Sequence, residues 1–207
     1  MLKNNPLVLV FCKNQIIGKV KSRLAMNIGQ KKALLIYSEL VNKTALIVNS
    51  LSSEVHIYYS DYIEENDNFD SSKIKKFIQK GNNLGDRMIN ALNISFKNFS
   101  PIVVIGSDLW ELEISDIMDA FGILKKKNVV IGPSTDGGYY LIGMNYLDTK
   151  IFENKNWGQQ SVLNETIRDI DDITNIHLLD EKTDIDTYDD LCQFPDLKIK
   201  LWNQRRR

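Results

Sequence analysis

The stretch that most limits what this chain can fold into is Pro101-Ile-Val-Val-Ile-Gly-Ser-Asp108. An unbroken β-branched run ending in a glycine, a serine and an acid suits a strand buried on both faces, in the middle of a parallel sheet. Open α/β sheets bind ligands at the carboxyl ends of their strands, and Asp108 falls at that end. A carboxylate carried there by a rigid strand is placed to hold a hard divalent cation, which takes oxygen ligands and shares them with substrate phosphates. Two plainer roles compete on equal terms. Asp108 can cap a helix starting near Ile114, or stand as a solvated loop acid.

Composition limits the partners. The chain has 207 residues, 43% hydrophobic and 26% charged. That is enough for one good-sized core, read as one domain over residues 1–207 with its core at about 7–195. A net charge of −1 gives no general attraction to nucleic acid or to an anionic membrane. The end, Arg205-Arg206-Arg207, reads as a frayed, solvated basic tail. Cys12 and Cys192 are too few for a disulfide framework or a zinc site. The apolar run Leu7–Cys12 is too short to span a membrane, and no cleavage pattern follows it, so a cytoplasmic protein is expected.

Taken in order, Leu7–Cys12 reads as a first buried strand, and 13–25 as a polar, basic loop. The three-and-four spacing of Leu34, Tyr37, Val41, Ala45 and Val48 predicts a helix over 30–51. A strand at 55–59, an acidic surface loop at 61–72 and a short strand near the sheet edge at 73–79 follow. Gly81-Asn-Asn opens a helix with Leu84, Met88, Ala91, Leu92 and Phe96 on one face. After the Pro101–Asp108 strand comes a helix over 114–127, with Ile117, Met118, Phe121 and Leu124 inward and Lys125–Lys127 at its end. Strands at 129–132 and 139–144 flank Pro133-Ser-Thr-Asp-Gly-Gly138, a turn signal. A helix over 160–170, a strand at 176–179 and a last helix over 187–194 complete the chain. Strands alternating with helices point to a layered α/β domain with a mixed, mostly parallel sheet.

Three segments carry residues suited to chemistry. Lys13, Gly18, Lys21 and Arg23 lie between a strand and a helix. There Arg pairs bidentately with phosphate, Lys adds a compact charge and backbone N–H groups extend the cradle. A solvated basic loop is the plain alternative, and neither a Walker loop nor a dinucleotide fingerprint is present. Asp136, between Thr135 and Gly137-Gly138, reads first as turn chemistry and second as part of a site. Asp186 and Thr187 precede a helix, so either can be its N-cap; otherwise Asp186 is a second metal carboxylate facing Asp108. His56 and His177 read as ordinary strand residues, and Trp110, Trp157 and Trp202 as packing groups. No serine-hydrolase or zinc-protease pattern appears.

Taken together, these motifs resemble one family. They are Phe11-x-Lys13, Gly18-x-Val-Lys-Ser-Arg-Leu-Ala25, Leu84-Gly-x-Arg-Met88, Gly106-Ser-Asp108, Gly132-Pro-x-x-Asp-Gly-Gly-Tyr-Tyr-Leu-Ile-Gly143 and Asp184-Ile-Asp-Thr-x-x-Asp-Leu191. The family comprises small bacterial GT-A-like transferases first catalogued as a domain of unknown function. Some are labelled selenium-domain-associated transferases or arsenosugar-biosynthesis glycosyltransferases. The likeness spans roughly Leu7 to Leu191. It implies a three-layer α/β/α sandwich of the nucleotide-diphospho-sugar transferase type. It also implies Mg²⁺ or Mn²⁺ held by Asp108 and Asp186, and nucleotide phosphates met by Lys13, Lys21 and Arg23. Apart from the resemblance, Arg87 at a helix start reads as an addition to the cations of the basic loop.

The chain departs from the family pattern at Trp110, where Pro is usual, at Asn83, where an acid is usual, and at Gly158-Gln159, where Ser-Thr is usual. The loop 14–17 also lacks the usual Pro.

The activity implied is transfer from a nucleotide donor to a small-molecule acceptor of unspecified identity. The first choice is glycosyl transfer from a nucleotide-diphosphate sugar, with Asp136 contacting the acceptor or serving as a base. Nucleotidyl transfer from a nucleoside triphosphate is second, since Lys21-Ser-Arg-Leu is similar to phospholactate guanylyltransferases. A non-catalytic nucleotide-binding protein is third. The preference for sugar transfer rests on the wall Asp136–Tyr140. It is neutral or acidic and carries two tyrosine hydroxyls, which suits a polyhydroxylated ligand better than further phosphate.

Overall fold

The computed structural model describes residues 5–70 and 72–203. The basic run Arg205–Arg207 and the side chain of Trp202 lie outside the described residues. In chain order the elements are β1 (Leu7–Cys12), α1 (Ser22–Ile28), α2 (Gln30–Asn49), β2 (Glu54–Tyr59), β3 (Lys75–Ile78), α3 (Leu84–Ser95), β4 (Ile102–Gly106), α4 (Ile114–Ile123), β5 (Val129–Pro133), β6 (Tyr139–Met144), α5 (Val162–Arg168), β7 (Ile176–Leu178), α6 (Tyr188–Cys192) and α7 (Pro195–Asn203).

One seven-stranded sheet runs in the order β3-β2-β1-β4-β6-β5-β7. The pairs β1–β2, β1–β4, β2–β3 and β5–β7 are parallel, and β6 is antiparallel to both its neighbours. A hairpin turn can only return a strand antiparallel, so the turn at 134–138 is what makes the sheet mixed. Alternation along the central strands divides the core. Val8, Val10 and Val103 face α2 and α4; Leu7, Leu9, Ile102 and Val104 face α3 and α5. The result is an α/β/α sandwich, as expected. Among the described residues no helix is long and apolar enough to cross a membrane.

Several boundaries differ from expectation. The loop predicted to run to residue 25 ends at Lys21, because Val20 and Leu24 are buried and seat a first turn of helix there. Helix α2 is buried on two faces. Beside the anticipated stripe, Ala33, Ile36 and Leu40 pack with Leu24, Ile185, Leu191 and Leu197. That second cluster explains α7, which was not anticipated. Pro195 starts a new helix, and Leu197 docks it.

Helix α4 stops at Ile123, so the lysines lie beyond it, and Met118 is 53% exposed while Ala120 takes the inward place. On α3, Leu84 is 41% exposed rather than inward. The loop 61–72 is not free surface throughout. Phe69 is buried, and the enclosed Lys76–Asp67 ion pair ties the loop to the edge strand β3. His56 is a core residue among Phe77 and Phe99, whereas His177 is exposed.

Candidate functional site

The strand ends open onto a cavity of about 580 Å³. It crosses the carboxyl ends of β1, β2, β3 and β4 and the amino end of β6, which reaches the same edge by running the other way. Behind the lining acids, Lys21 Nζ donates to Asp108 Oδ2 at 2.9 Å and to Asp186 Oδ1 at 2.8 Å, while neither Lys21 nor Arg23 is itself part of the cavity lining. The two acids anticipated as a pair therefore converge on one point. Arg23 Nη2 lies 3.7 Å from Asp186 Oδ2.

Local chemistry releases both acids for this position. Helix α4 is capped by Glu113 in a reciprocal box with Asp116, so Asp108 is not its cap. Helix α6 is capped by Thr187 with Asp190, so Asp186 is free of that duty. Lys21 itself is only 4% exposed along its side chain, and its backbone is left-handed at φ 48. For a residue with a side chain that conformation costs roughly 1–2 kcal/mol. Its ammonium, held between two carboxylates, offsets the strain.

Electrostatics follow from this geometry. Burial would lower the Lys21 pKa, but Asp108 and Asp186 raise it and keep the ammonium charged. Burial would raise the Asp108 carboxyl, yet the charge and hydrogen bond of Lys21 hold it below its usual value. Asp184 behaves oppositely. Burial, then repulsion from Asp108, pushes it up to about 8, against the pull of Lys21. Asp184 lines the cavity beside Asp186 and was overlooked as a site residue. The signal in the sequence is an apolar residue between two acids: Ile185 is fully buried, and Asp184 and Asp186 both line the cavity.

The remaining anticipated residues fall in two groups. Lys13, Arg87 and Asp136 line the cavity. Gly18, at φ 81, forms an exposed turn near the Gln30 side chain instead. Asp136 Oδ1 accepts from Ser134 Oγ at 2.5 Å and from the Gly138 N–H at 2.8 Å, so its turn role is real while it faces the cavity. Lys19 also lines the cavity and was not singled out. Asn14 is buried and ties the loop after β1 to the end of β2, accepting from Asp61 N at 2.9 Å and donating to Tyr62 O at 2.9 Å.

The two tyrosine hydroxyls expected on the wall are not presented to the cavity. Tyr140 donates to the Asp180 carbonyl at 3.2 Å, and the Tyr139 hydroxyl is buried towards Thr166. Burial within the sheet edge turned them inward and left their rings as the lining. Trp157 packs edge-on to Tyr139 and also lines the cavity. Trp110 lies apart, its indole donating to Asp196 Oδ2 at 3.2 Å.

Beneath the site, Tyr37 links its two halves. The hydroxyl accepts from Lys13 N at 2.9 Å, donates to Lys13 O at 3.1 Å and lies 3.0 Å from Ser107 Oγ. Its one proton goes to the carbonyl, so Ser107 is the donor in the last bond. Burial pushes the neighbouring Cys12 thiol up to about 11, which keeps it neutral and unreactive near pH 7. Tyr37→Phe should lower unfolding stability in urea by about 1–3 kcal/mol, because it strands the Lys13 backbone groups. An unchanged midpoint would show that water replaces the hydroxyl without loss.

The acids present suit a hard cation: acceptor-only carboxylates from two elements converge where an ammonium already stands. Among the described residues no group of three or more His, Cys, Asp or Glu is arranged to hold a metal. A cation bound by Asp108 and Asp186 would therefore take its other ligands from substrate and water.

A family model described as "Uncharacterized protein conserved in bacteria (DUF2064)" matches residues 45–159. No curated protein matches the chain. Among solved structures, a Desulfovibrio desulfuricans G20 protein provisionally named a nucleotide-diphospho-sugar transferase is 27% identical. Its TM-score is 0.83, over 91% of this chain and 85% of that one. The 4-diphosphocytidyl-2C-methyl-D-erythritol synthase of Anaerococcus prevotii DSM 20548 is 8% identical, with a TM-score of 0.60 over 96% and 97% of the two chains. A manganese complex of Rv0371c from Mycobacterium tuberculosis H37Rv is 11% identical, with a TM-score of 0.52 over 92% and 97%. The last two likenesses establish a shared fold.

Proposed function

The chain belongs to the bacterial DUF2064 family, and on that premise we propose that it is a metal-dependent glycosyltransferase using a nucleotide-diphosphate sugar. Residues 1–207 are read as one transferase domain. The observation that carries the proposal is the division of charge in the cavity. Lys13, Lys19 and Arg87 line the half along β1–β3 and the start of α3, with Asp61 the one acid there, 3.6 Å from Lys19. The half along β4–β6 contributes Asp136 and no Lys or Arg to the lining, and Asp184 and Asp186 come from the segment before α6. A diphosphate suits the first half. A neutral acceptor suits the second, where a phosphorylated one meets the negative charge of Asp136.

In this reading Asp108 and Asp186 would hold Mg²⁺ or Mn²⁺, which requires the Lys21 ammonium to give up its place between them and turn to the phosphates. A bound divalent cation supplies charge stabilisation to the departing diphosphate. Lys13, Lys21, Arg23 and Arg87 neutralise the same charge by being fixed in place beforehand. The bond from the anomeric carbon to the diphosphate breaks, and a bond from that carbon to the acceptor oxygen forms. Asp136, oriented by Ser134 and Gly138, receives the acceptor's proton.

Nucleotidyl transfer is the second reading. It is favoured by the place of Lys21-Ser-Arg23 against the central acids, where the phosphates of a nucleoside triphosphate would also collect. Incubation with Mn²⁺, nucleotide sugars or nucleoside triphosphates, followed by product analysis, separates the two. Release of a nucleoside diphosphate is expected, and Lys21→Ala and Arg23→Ala should each weaken nucleotide binding about ten-fold, more so at low salt. Pyrophosphate from a triphosphate, with no diphosphate from any nucleotide sugar, would promote the second reading.

A further inference from the structure

The cavity extends below the strand ends into a crevice on the α3 face of the sheet. Its floor is Phe11, Val104 and Ile142, from the adjacent strands β1, β4 and β6. Leu84 and Met88 on α3 line it together with Trp157, whose indole packs beside Gly85 of the same helix. The floor residues belong to the apolar cluster beneath α3 and α5, so the crevice is an incompletely filled part of that core.

Two observations restrict what can enter. The hydroxyls of Tyr139 and Tyr140 point away and the crevice residues just named are apolar, so a polyol seated among them would find few partners, and each buried hydroxyl without one is costly. At the mouth stands Asp136, and this half of the lining contributes no cation; a phosphate or carboxylate would bring like charge to Asp136 there. An apolar body with a single uncharged hydroxyl directed at Asp136 avoids both penalties.

We infer that this crevice seats the acceptor as an unphosphorylated alcohol built on an apolar ring or short chain. The acceptor role rests on the transferase reading; the preference of the crevice for an apolar, uncharged molecule does not.

The test is NMR titration of the ¹⁵N-labelled full chain with benzyl alcohol, benzyl phosphate and glycerol. The Trp157 indole signal is assigned with Trp157→Phe. Benzyl alcohol should shift that signal with an affinity at least ten-fold above that of the other two. Leu84→Glu should weaken it at least five-fold with the rest of the spectrum preserved, since an acid is favourable in the first turn of α3. No shift at Trp157, or benzyl phosphate or glycerol binding as tightly, would overturn the inference. A parallel titration with uridine diphosphate and Mn²⁺ keeps the two readings apart. If benzyl alcohol binds and no diphosphate nucleotide does, the crevice inference stands and the transferase reading falls. The reverse result removes the crevice inference alone.

Discussion

Asp108→Asn is expected to reduce metal-dependent turnover by about 10²–10³-fold, the scale of losing one fixed charge-stabilising group, while leaving the fold intact. Asparagine keeps the shape and one acceptor for Lys21 but removes the charge that would hold a cation. The carboxylate is carried at the end of β4, a strand buried on both faces, so the backbone has no reason to move. The pH dependence of stability gives a second measure. The folded pKa of Asp108 is depressed, so its contribution is present above the unfolded value and fades as pH falls through the folded one. The gap in unfolding midpoint between parent and variant should therefore narrow on acidification below about pH 4. Turnover and nucleotide affinity equal to the parent's would remove Asp108 from the site.

Gly137→Ala should cost about 3 kcal/mol or more in urea unfolding. Gly137 sits at φ 86 in the turn between β5 and β6, and a Cβ there would lie 2.3 Å from the Gln160 carbonyl oxygen. The same turn accepts the Leu163 N–H at 2.9 Å, so it is pressed against the segment that carries Trp157. Gly158 gives the comparison. It has a similar φ of 83 with open space around it, so Gly158→Ala should cost only the dihedral preference, roughly 1–2 kcal/mol. Equal losses at the two positions would mean that the turn is not docked as described. Because the turn also holds Asp136, Gly137→Ala should lower activity along with stability.

Much of this was legible locally. β-Branched runs located β1, β4 and β5, and the Asp-Gly-Gly signal located the turn that makes β6 antiparallel. The Asp108 and Asp186 motifs brought out the two central acids. Other features left no local trace. Nothing in the period of α2 distinguishes a helix buried on one face from one buried on two. Its second face is decided by Leu191 and Leu197, far along the chain. The hydroxyls of Tyr139 and Tyr140 were assigned to the wall because their residues are there. Only packing turned them towards Thr166 and the Asp180 carbonyl.

The sequence by itself determined which segments become strands and where the turn that reverses β6 falls. Those outcomes depend on hydrogen bonds and steric preferences within a few residues. The tertiary structure alone decided that Lys21 stands between the two acids, that Asp184 joins them and that an apolar crevice opens beside them. Charge interaction and burial depend on distance in space, and chain order carries no measure of that distance until the sheet brings the strand ends together.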